Sequence, residues 1–301
     1  MLSTRLDSAL ATFAARRRKS IDTGPIPSSP LNTSRATVEL FDSGSDHPCV
    51  IFVPDGPNVI ANYEPLVGLL RERFRVVCFD MPGFGYSTPA PQYDHSLDQG
   101  AATVIAVMDE LKISSAILAF SCANGLYALR VAQLAPHRVT QLVLSQTPSL
   151  AAMHAWSKRI VPYAVHLPVL GQVVAWVARR QAASRWYAAA LPKASATEPF
   201  KNPAMHSLNH GGCFCLAGVV QGLGREDVRR FEQISAPCTI VWGDLDRSHK
   251  LTDPTSILAL VPHAQIIHFQ DCGHFPDLEQ PERFAQVLMQ CAQAATFPSN
   301  Q

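Results

Sequence analysis

Six short apolar runs punctuate the chain: CVIFV at 49–53, FRVVCF at 74–79, AILAF at 116–120, TQLVLS at 140–145, CTIVWG at 238–243 and AQIIHF at 264–269. A strand with one face in water alternates apolar and polar residues. A strand covered on both faces is apolar at odd and even positions alike, as these runs are. Between them, Asp98 to Leu111 and Gly125 to Ala135 carry apolar residues at helical spacing. Buried strands alternating with helices imply an α/β fold with a mostly parallel central sheet flanked by helices. The 301 residues are 47% apolar and 16% charged, enough to bury such a core and too apolar for a disordered chain.

Charge and cysteine usage narrow the partners. Twenty-five Lys+Arg against 24 Asp+Glu give a net charge of +1, so no basic field exists to hold nucleic acid. Eight cysteines without a CxxC pair argue against a disulfide framework or a zinc site, and Cys213 and Cys215 lack a His/Asp set at ligand spacing. No metal and no cofactor are expected. The N-terminus lacks the continuous apolar segment of a secretory signal, which reads as a cytoplasmic protein beginning with a short surface helix. Ile160 to Ala178 carries no charge, but Pro162, His166, Pro168, Gly171 and Gln172 make it a lid helix and not a membrane span.

Residues 1–35, rich in Ser, Thr, Pro and Arg, read as an N-terminal extension and linker outside the core. The strand signals lie in 37–148 and 227–301. From 149 to 226 they lapse and Trp156, Tyr163, Trp176, Trp186 and Tyr187 accumulate, as expected of a helical cap inserted within the sheet domain.

Three segments carry chemistry: FDMPGFGYS at 79–87, GDLD at 243–246 and DCGHFPDLEQP at 271–281. Together, at these separations, they resemble the α/β-hydrolase superfamily, whose chain order is nucleophile, acid, histidine. The resemblance covers about residues 37–148 and 227–295. It implies His274 as general base in the loop after the last strand. It implies Asp246 as the acid that fixes the imidazole, with Asp244 as nearby competitor. The strand end at Ser145, Gln146 and Thr147 offers no other acid.

No GxSxG motif is present, and Cys122 and Ser121 compete for the nucleophile position in ILAFSCANG. Aligned without gaps on the family pattern, Leu111 and Ile113 before it, and Ala128, Pro136, Arg138 and Val139 after it, place Cys122 there. Gly125 then matches the second family glycine. The small residues that usually flank a strained elbow favour Ser121, which has Ala119 and Ala123 where Cys122 has Phe120 and Asn124. The two-sided register outweighs the flanks, so Cys122 is the expected nucleophile and Ser121 the alternative. A cysteine beside a histidine at a helix N-terminus is expected to have a lowered pKa and to form a thiolate–imidazolium pair. Dienelactone hydrolases and polyhydroxyalkanoate synthases are superfamily members that use cysteine.

The expected oxyanion donors are the Ala123 backbone and, from VPDGPN, the backbone of Asp55 or Gly56, with Asn58 a weaker candidate, since Pro54 and Pro57 cannot donate. The Asp55 charge would oppose an oxyanion unless its side chain points away. Cap residues, including GGCFCLAGVV at 211–220, would line an apolar pocket. The expected function is hydrolysis or transfer of an apolar or aromatic acyl group, from an ester or from a thioester on a carrier, through Cys122, His274 and Asp246. A homodimer is compatible with the cap. The alternatives are a lyase or cofactor-free oxygenase on this fold, or a non-catalytic small-ligand-binding protein, the last opposed by the presence of both Asp246 and His274.

Overall fold

A computed structural model describes residues 2–18 and 26–296. Eight strands form the main path of the sheet: β1 (Ser29–Asn32), β2 (Ala36–Asp42), β3 (Cys49–Val53), β4 (Arg75–Phe79), β5 (Ala116–Phe120), β6 (Val139–Ser145), β7 (Cys238–Gly243) and β8 (Gln265–Phe269). Their spatial order is β1-β2-β4-β3-β5-β6-β7-β8, and Thr88–Pro89 adds a short pairing to β2. Pairings among β3 to β8 are parallel, whereas β2 runs antiparallel to both β1 and β4. This is the α/β architecture expected from the six apolar runs.

The inner runs are apolar at successive positions because successive side chains feed two different cores, whereas the edge strand β8 is only partly covered and leaves Gln265 and His268 exposed. Ile51, Val53, Val77 and Phe79 pack on one face with residues of α3 (Leu97–Glu110) and α4 (Ala123–Leu134). Val50, Phe52, Val76 and Cys78 pack on the other, with Leu66 and Leu70 of α2 (Glu64–Leu70) and Phe284 and Leu288 of α10 (Pro281–Thr296). Burying a side chain of this size is worth about 1.5–3 kcal/mol. A polar residue inside these runs would therefore remove more stability than a surface change.

Between β6 and β7 the described residues carry α5 (Leu150–Ile160), α6 (Tyr163–His166), α7 (Leu170–Ala190), α8 (Glu198–Asn209) and α9 (Leu216–Gly224). Ser149 caps α5 by accepting from the Ala152 N–H. The uncharged stretch from Ile160 to Ala178 is broken between α5, α6 and α7, and no described helix is long and apolar enough to cross a membrane. One strand does occur in this segment: Cys213–Phe214 pairs antiparallel with Phe84–Gly85.

The short N-terminal helix expected from the sequence is present, but one of its faces is buried against neighbouring elements. Leu2–Ala15 forms α1, which buries Ser3, Thr4, Asp7, Ser8, Ala11 and Ala14. The Gln172 side chain of α7 donates to the Asp7 carboxylate at 3.2 Å, and Arg18 donates to the backbone of Tyr86 at 3.1 Å. β1 extends the sheet through its pairing with β2. Small residues at three- and four-residue spacing let α1 sit close to its neighbours, a pattern that leaves almost no hydrophobic signal. Met1 and residues 19–25 of this segment, with 297–301, lie outside the described residues.

Candidate active site

Cys122 stands between the end of β5 and the first residue of α4, with φ 51° and ψ −123°. A positive φ is costly for a residue with a Cβ, so the surrounding chain must hold it. It does so at several points. The Cys122 N–H donates to the Ser145 carbonyl at 2.7 Å, and Thr147 Oγ1 donates to the Cys122 carbonyl at 3.0 Å. Gly125 is required because a Cβ there would overlap the Thr147 side chain. Asn124 Nδ2 donates to the Pro54 carbonyl at 2.9 Å, fastening the turn to the loop after β3.

Ser121 faces the other way. Its Oγ donates to Asp277 Oδ2 at 2.8 Å, and Tyr63 Oη donates to the same oxygen at 2.6 Å, in a fully buried network away from the cavity. Adjacent residues leaving a strand point to opposite faces, so only one of the pair can meet His274.

That residue is Cys122: its Sγ, a nitrogen of His274 and a nitrogen of His249 all lie within 4.8 Å of one another. His274 Nδ1 is 2.6 Å from Asp246 Oδ2. The His274 loop is fixed by the motif around it, because the Gly273 and Phe275 N–H groups both donate to the Glu279 carboxylate. The His274 N–H donates to the Ala190 carbonyl at the end of α7, so a cap helix touches the same loop. Asp246 gathers donors on both oxygens, from Gln146 Nε2 at 2.7 Å on one and from the Ser248 N–H at 2.8 Å on the other. Asp244 instead pairs with His268 at the surface, 2.7 Å away.

Asp55 is where expectation and structure part. Its side chain points into the site, with Oδ2 3.1 Å from His274 Nε2, the nitrogen a nucleophile would need. Asp55, Gly56, Cys122, Ala123 and Asn124 form the floor of a cavity of about 390 Å³. Asn58 turns from it, its Oδ1 accepting from Tyr187 Oη at 2.8 Å. The roof comes largely from α5, α7 and α9 and is mostly apolar, with Trp156, Val174, Trp186 and Val220 among its residues. Gln181 and Arg185 are its polar members on α7, and Cys215 is absent from the lining.

The electrostatics follow from burial and two carboxylates. Burial opposes a charged His274, but Asp246, the Cys122 thiolate and the hydrogen bond to Asp55 outweigh it and hold the imidazole well above its ordinary value. Burial also raises Asp246, yet the adjacent His274 prevails and leaves it below the usual carboxylate range. Burial pushes Asp55 up, with His274 drawing it partly back. The Cys122 thiol is not lowered: burial first, then the Asp55 charge, push it up to about 11, against the pull of His274 and the Ala123 N–H. The lowered thiol pKa expected from the sequence is therefore not found, and Asp55 engages the histidine nitrogen on the cysteine side.

Two side chains escaped the sequence reading. Gln146, at φ 47°, accepts from the Gly243 N–H at 2.9 Å, which turns its amide nitrogen toward Asp246. His249, fully buried, stacks on Trp156 with ring centroids 5.0 Å apart, and burial pushes its pKa down to about 3. The short interval between Asp246 and His249 was the available signal, and it belongs to no motif.

Residues 50–287 match the model of the alpha/beta hydrolase family. The chain belongs to that family. Among curated relatives, 2-hydroxymuconate semialdehyde hydrolase of Pseudomonas sp. strain CF600 is 25% identical, covering 83% of this chain and 88% of the relative. Pimeloyl-[acyl-carrier protein] methyl ester esterase of Photobacterium profundum is 28% identical over 76% of this chain and 88% of its own length. Among solved structures, the enol-lactonase of Burkholderia xenovorans LB400 superposes with a TM-score of 0.68 at 18% identity, covering 88% of this chain and all of that one. Epoxide hydrolase A of Mycobacterium thermoresistibile gives 0.74 at 12% identity over 89% of this chain and 98% of that one, a likeness of fold alone. Family and curated relatives make this alpha/beta hydrolase an enzyme of the hydrolase type.

Proposed function

We propose that this enzyme cleaves or transfers an apolar acyl group held as an ester or thioester, using Cys122 as nucleophile. One observation carries the reading. Cys122 occupies a strained strand-to-helix turn beside a histidine whose far nitrogen rests on a buried carboxylate. Once the Nε2 proton has passed to the Asp55 carboxylate 3.1 Å away, His274 Nε2 takes the Sγ proton as sulfur attacks the carbonyl carbon, and the Ala123 N–H donates to the oxygen as it becomes negative. The intermediate collapses, the leaving alkoxide or thiolate takes the proton from His274, and the acyl group stays on Cys122 as a thioester. Water or another acceptor then attacks that thioester, gives its proton to His274, and the Cys122 sulfur leaves and is reprotonated. Asp246 keeps the Nδ1–H directed toward itself throughout. The apolar roof suits an aromatic or alkyl acyl part. The esterase relative, named for a substrate on an acyl carrier protein, is in keeping with a carrier-bound substrate.

Intact-mass spectrometry after brief exposure to aryl and alkyl thioesters tests this reading. An acyl adduct on the wild type and on Ser121→Ala, but not on Cys122→Ala, is the expected result. An adduct that survives Cys122→Ala overturns it. The Asp55–His274 contact favours one second reading, an acyl-free proton transfer such as a lyase reaction in the same cavity. A complete absence of adducts, together with cleavage of an activated carbon acid, would select it.

The resting proton arrangement has its own test. Asp55 favours the imidazolium and disfavours the thiolate, so removing its charge lowers the pKa of both partners. Asp55→Asn is expected to move the pH profile of Cys122 alkylation by iodoacetamide to lower pH. An unchanged profile would show that Asp55 does not govern the pair.

A further inference from the structure

Beyond acyl chemistry, the cluster around Cys122 has a feature the proposed mechanism leaves unused. His249 is 2% exposed, and neither ring nitrogen has a hydrogen-bond partner among the described residues. A buried polar atom without a partner costs about 1–3 kcal/mol and calls for an explanation. Stacking on Trp156 accounts for the ring faces and leaves the edge nitrogens unexplained.

Those nitrogens belong to a donor set. A His249 nitrogen, Cys122 Sγ and a His274 nitrogen lie within 4.8 Å of one another, a span one ion can bridge with modest closure, given Zn–S and Zn–N bonds of about 2.3 and 2.0–2.1 Å. His274 is prepared as a ligand. Asp246 sits 2.6 Å from Nδ1, the carboxylate–histidine arrangement that directs the opposite nitrogen to a metal. Asp55 Oδ2, 3.1 Å from His274 Nε2, stands outside this three-donor set but next to it, where a small shift would add a carboxylate oxygen. Cys122 lines the cavity, which gives an ion a path in.

We propose that Cys122, His249 and His274 form a binding site for a thiophilic divalent cation of the zinc class, and that occupancy silences the cysteine. One thiolate with two imidazoles selects zinc or cadmium over magnesium or calcium. The Cys122 proton and the His274 Nε2 proton are both released to solvent as these two groups bind the ion, and a carboxylate from Asp55 closes the coordination, leaving no open position for substrate. This proposal is independent of the acyl reading, since it needs the donors and not a turnover.

Cadmium reports the site directly through its thiolate charge-transfer absorption in the ultraviolet. Chelator-treated wild-type enzyme is expected to take up one equivalent of Cd²⁺ with that signature, lost in Cys122→Ser. His249→Phe keeps the stack on Trp156 and should weaken binding at least about tenfold, since even outer partners of metal ligands are worth 10–100-fold. The same variant, shown to be folded by its thermal transition, should need correspondingly more Zn²⁺ to protect Cys122 from iodoacetamide, read by mass. The proposal fails if wild type shows no cadmium–thiolate absorption, or if His249→Phe binds as tightly as wild type. Cadmium binding without any acyl adduct would remove the acyl reading and leave the metal site standing. Acylation without cadmium binding would do the reverse.

Discussion

Asp246→Asn is expected to slow acylation of Cys122 by about 10³–10⁴-fold, although it alters a single atom. The carboxylate receives only donors. Oδ2 faces His274 Nδ1 and Gln146 Nε2, while Oδ1 faces the Ser248 N–H, the Ser248 hydroxyl and, at 3.3 Å, the His249 N–H. Gln146 cannot turn to help, because its oxygen is held by the Gly243 N–H. An asparagine NH₂ therefore opposes a donor whichever way it points. The imidazole can relieve one clash by moving its proton to Nε2, and that tautomer cannot accept a proton from Cys122. Single-turnover acylation followed by mass measures the loss, and chemical denaturation should show about 1–3 kcal/mol of lost stability for the donor left unpaired. A rate within tenfold of wild type would mean that Asp246 does not set the tautomer.

The second large effect is structural. A Cβ on Gly243, at the end of β7, would overlap the Gly273 carbonyl oxygen and stand 2.8 Å from that of Cys272. Both are backbone atoms and cannot rotate away. Gly243→Ala must push the His274 loop off the strand that leads to Asp246. The expected cost is about 3 kcal/mol or more, at the upper end of overpacking changes. Acylation of Cys122 should fall in the same variant, because the displaced loop carries His274, the proposed base. An alanine variant as stable as wild type would show that the close approach is not needed.

The contrast between these residues and the rest of the site shows what a sequence can reveal. The sheet was legible because burial on both faces forces apolar residues at consecutive positions, which few other structures demand. Asp246 and His274 were legible because each follows a strand at a short, fixed interval. Ser121 and Cys122 could not be separated by local pattern, since the flanking small residues and the longer register pointed to different members of the pair. Their separation rests on Asp277 and Tyr63, more than 50 residues away on either side of the elbow. The Asp55 side chain, Gln146 and His249 depend likewise on where loops meet, and no periodicity encodes that. The buried face of α1 stayed silent for a different reason: serine, threonine and alanine pack well at close range without looking hydrophobic.

That helix has a consequence for how the chain is made. The contact between Arg18 and Gly211 joins residues 193 positions apart. At a synthesis rate of about 5–20 residues per second, roughly 10–40 s separate the emergence of the two. A helix made this early relative to its partners is thus among the last to find its place. A leucine-lined helix waiting that long would invite aggregation. Ser3, Thr4, Asp7 and Ser8 on the docking face tolerate water until α7 and α9 arrive.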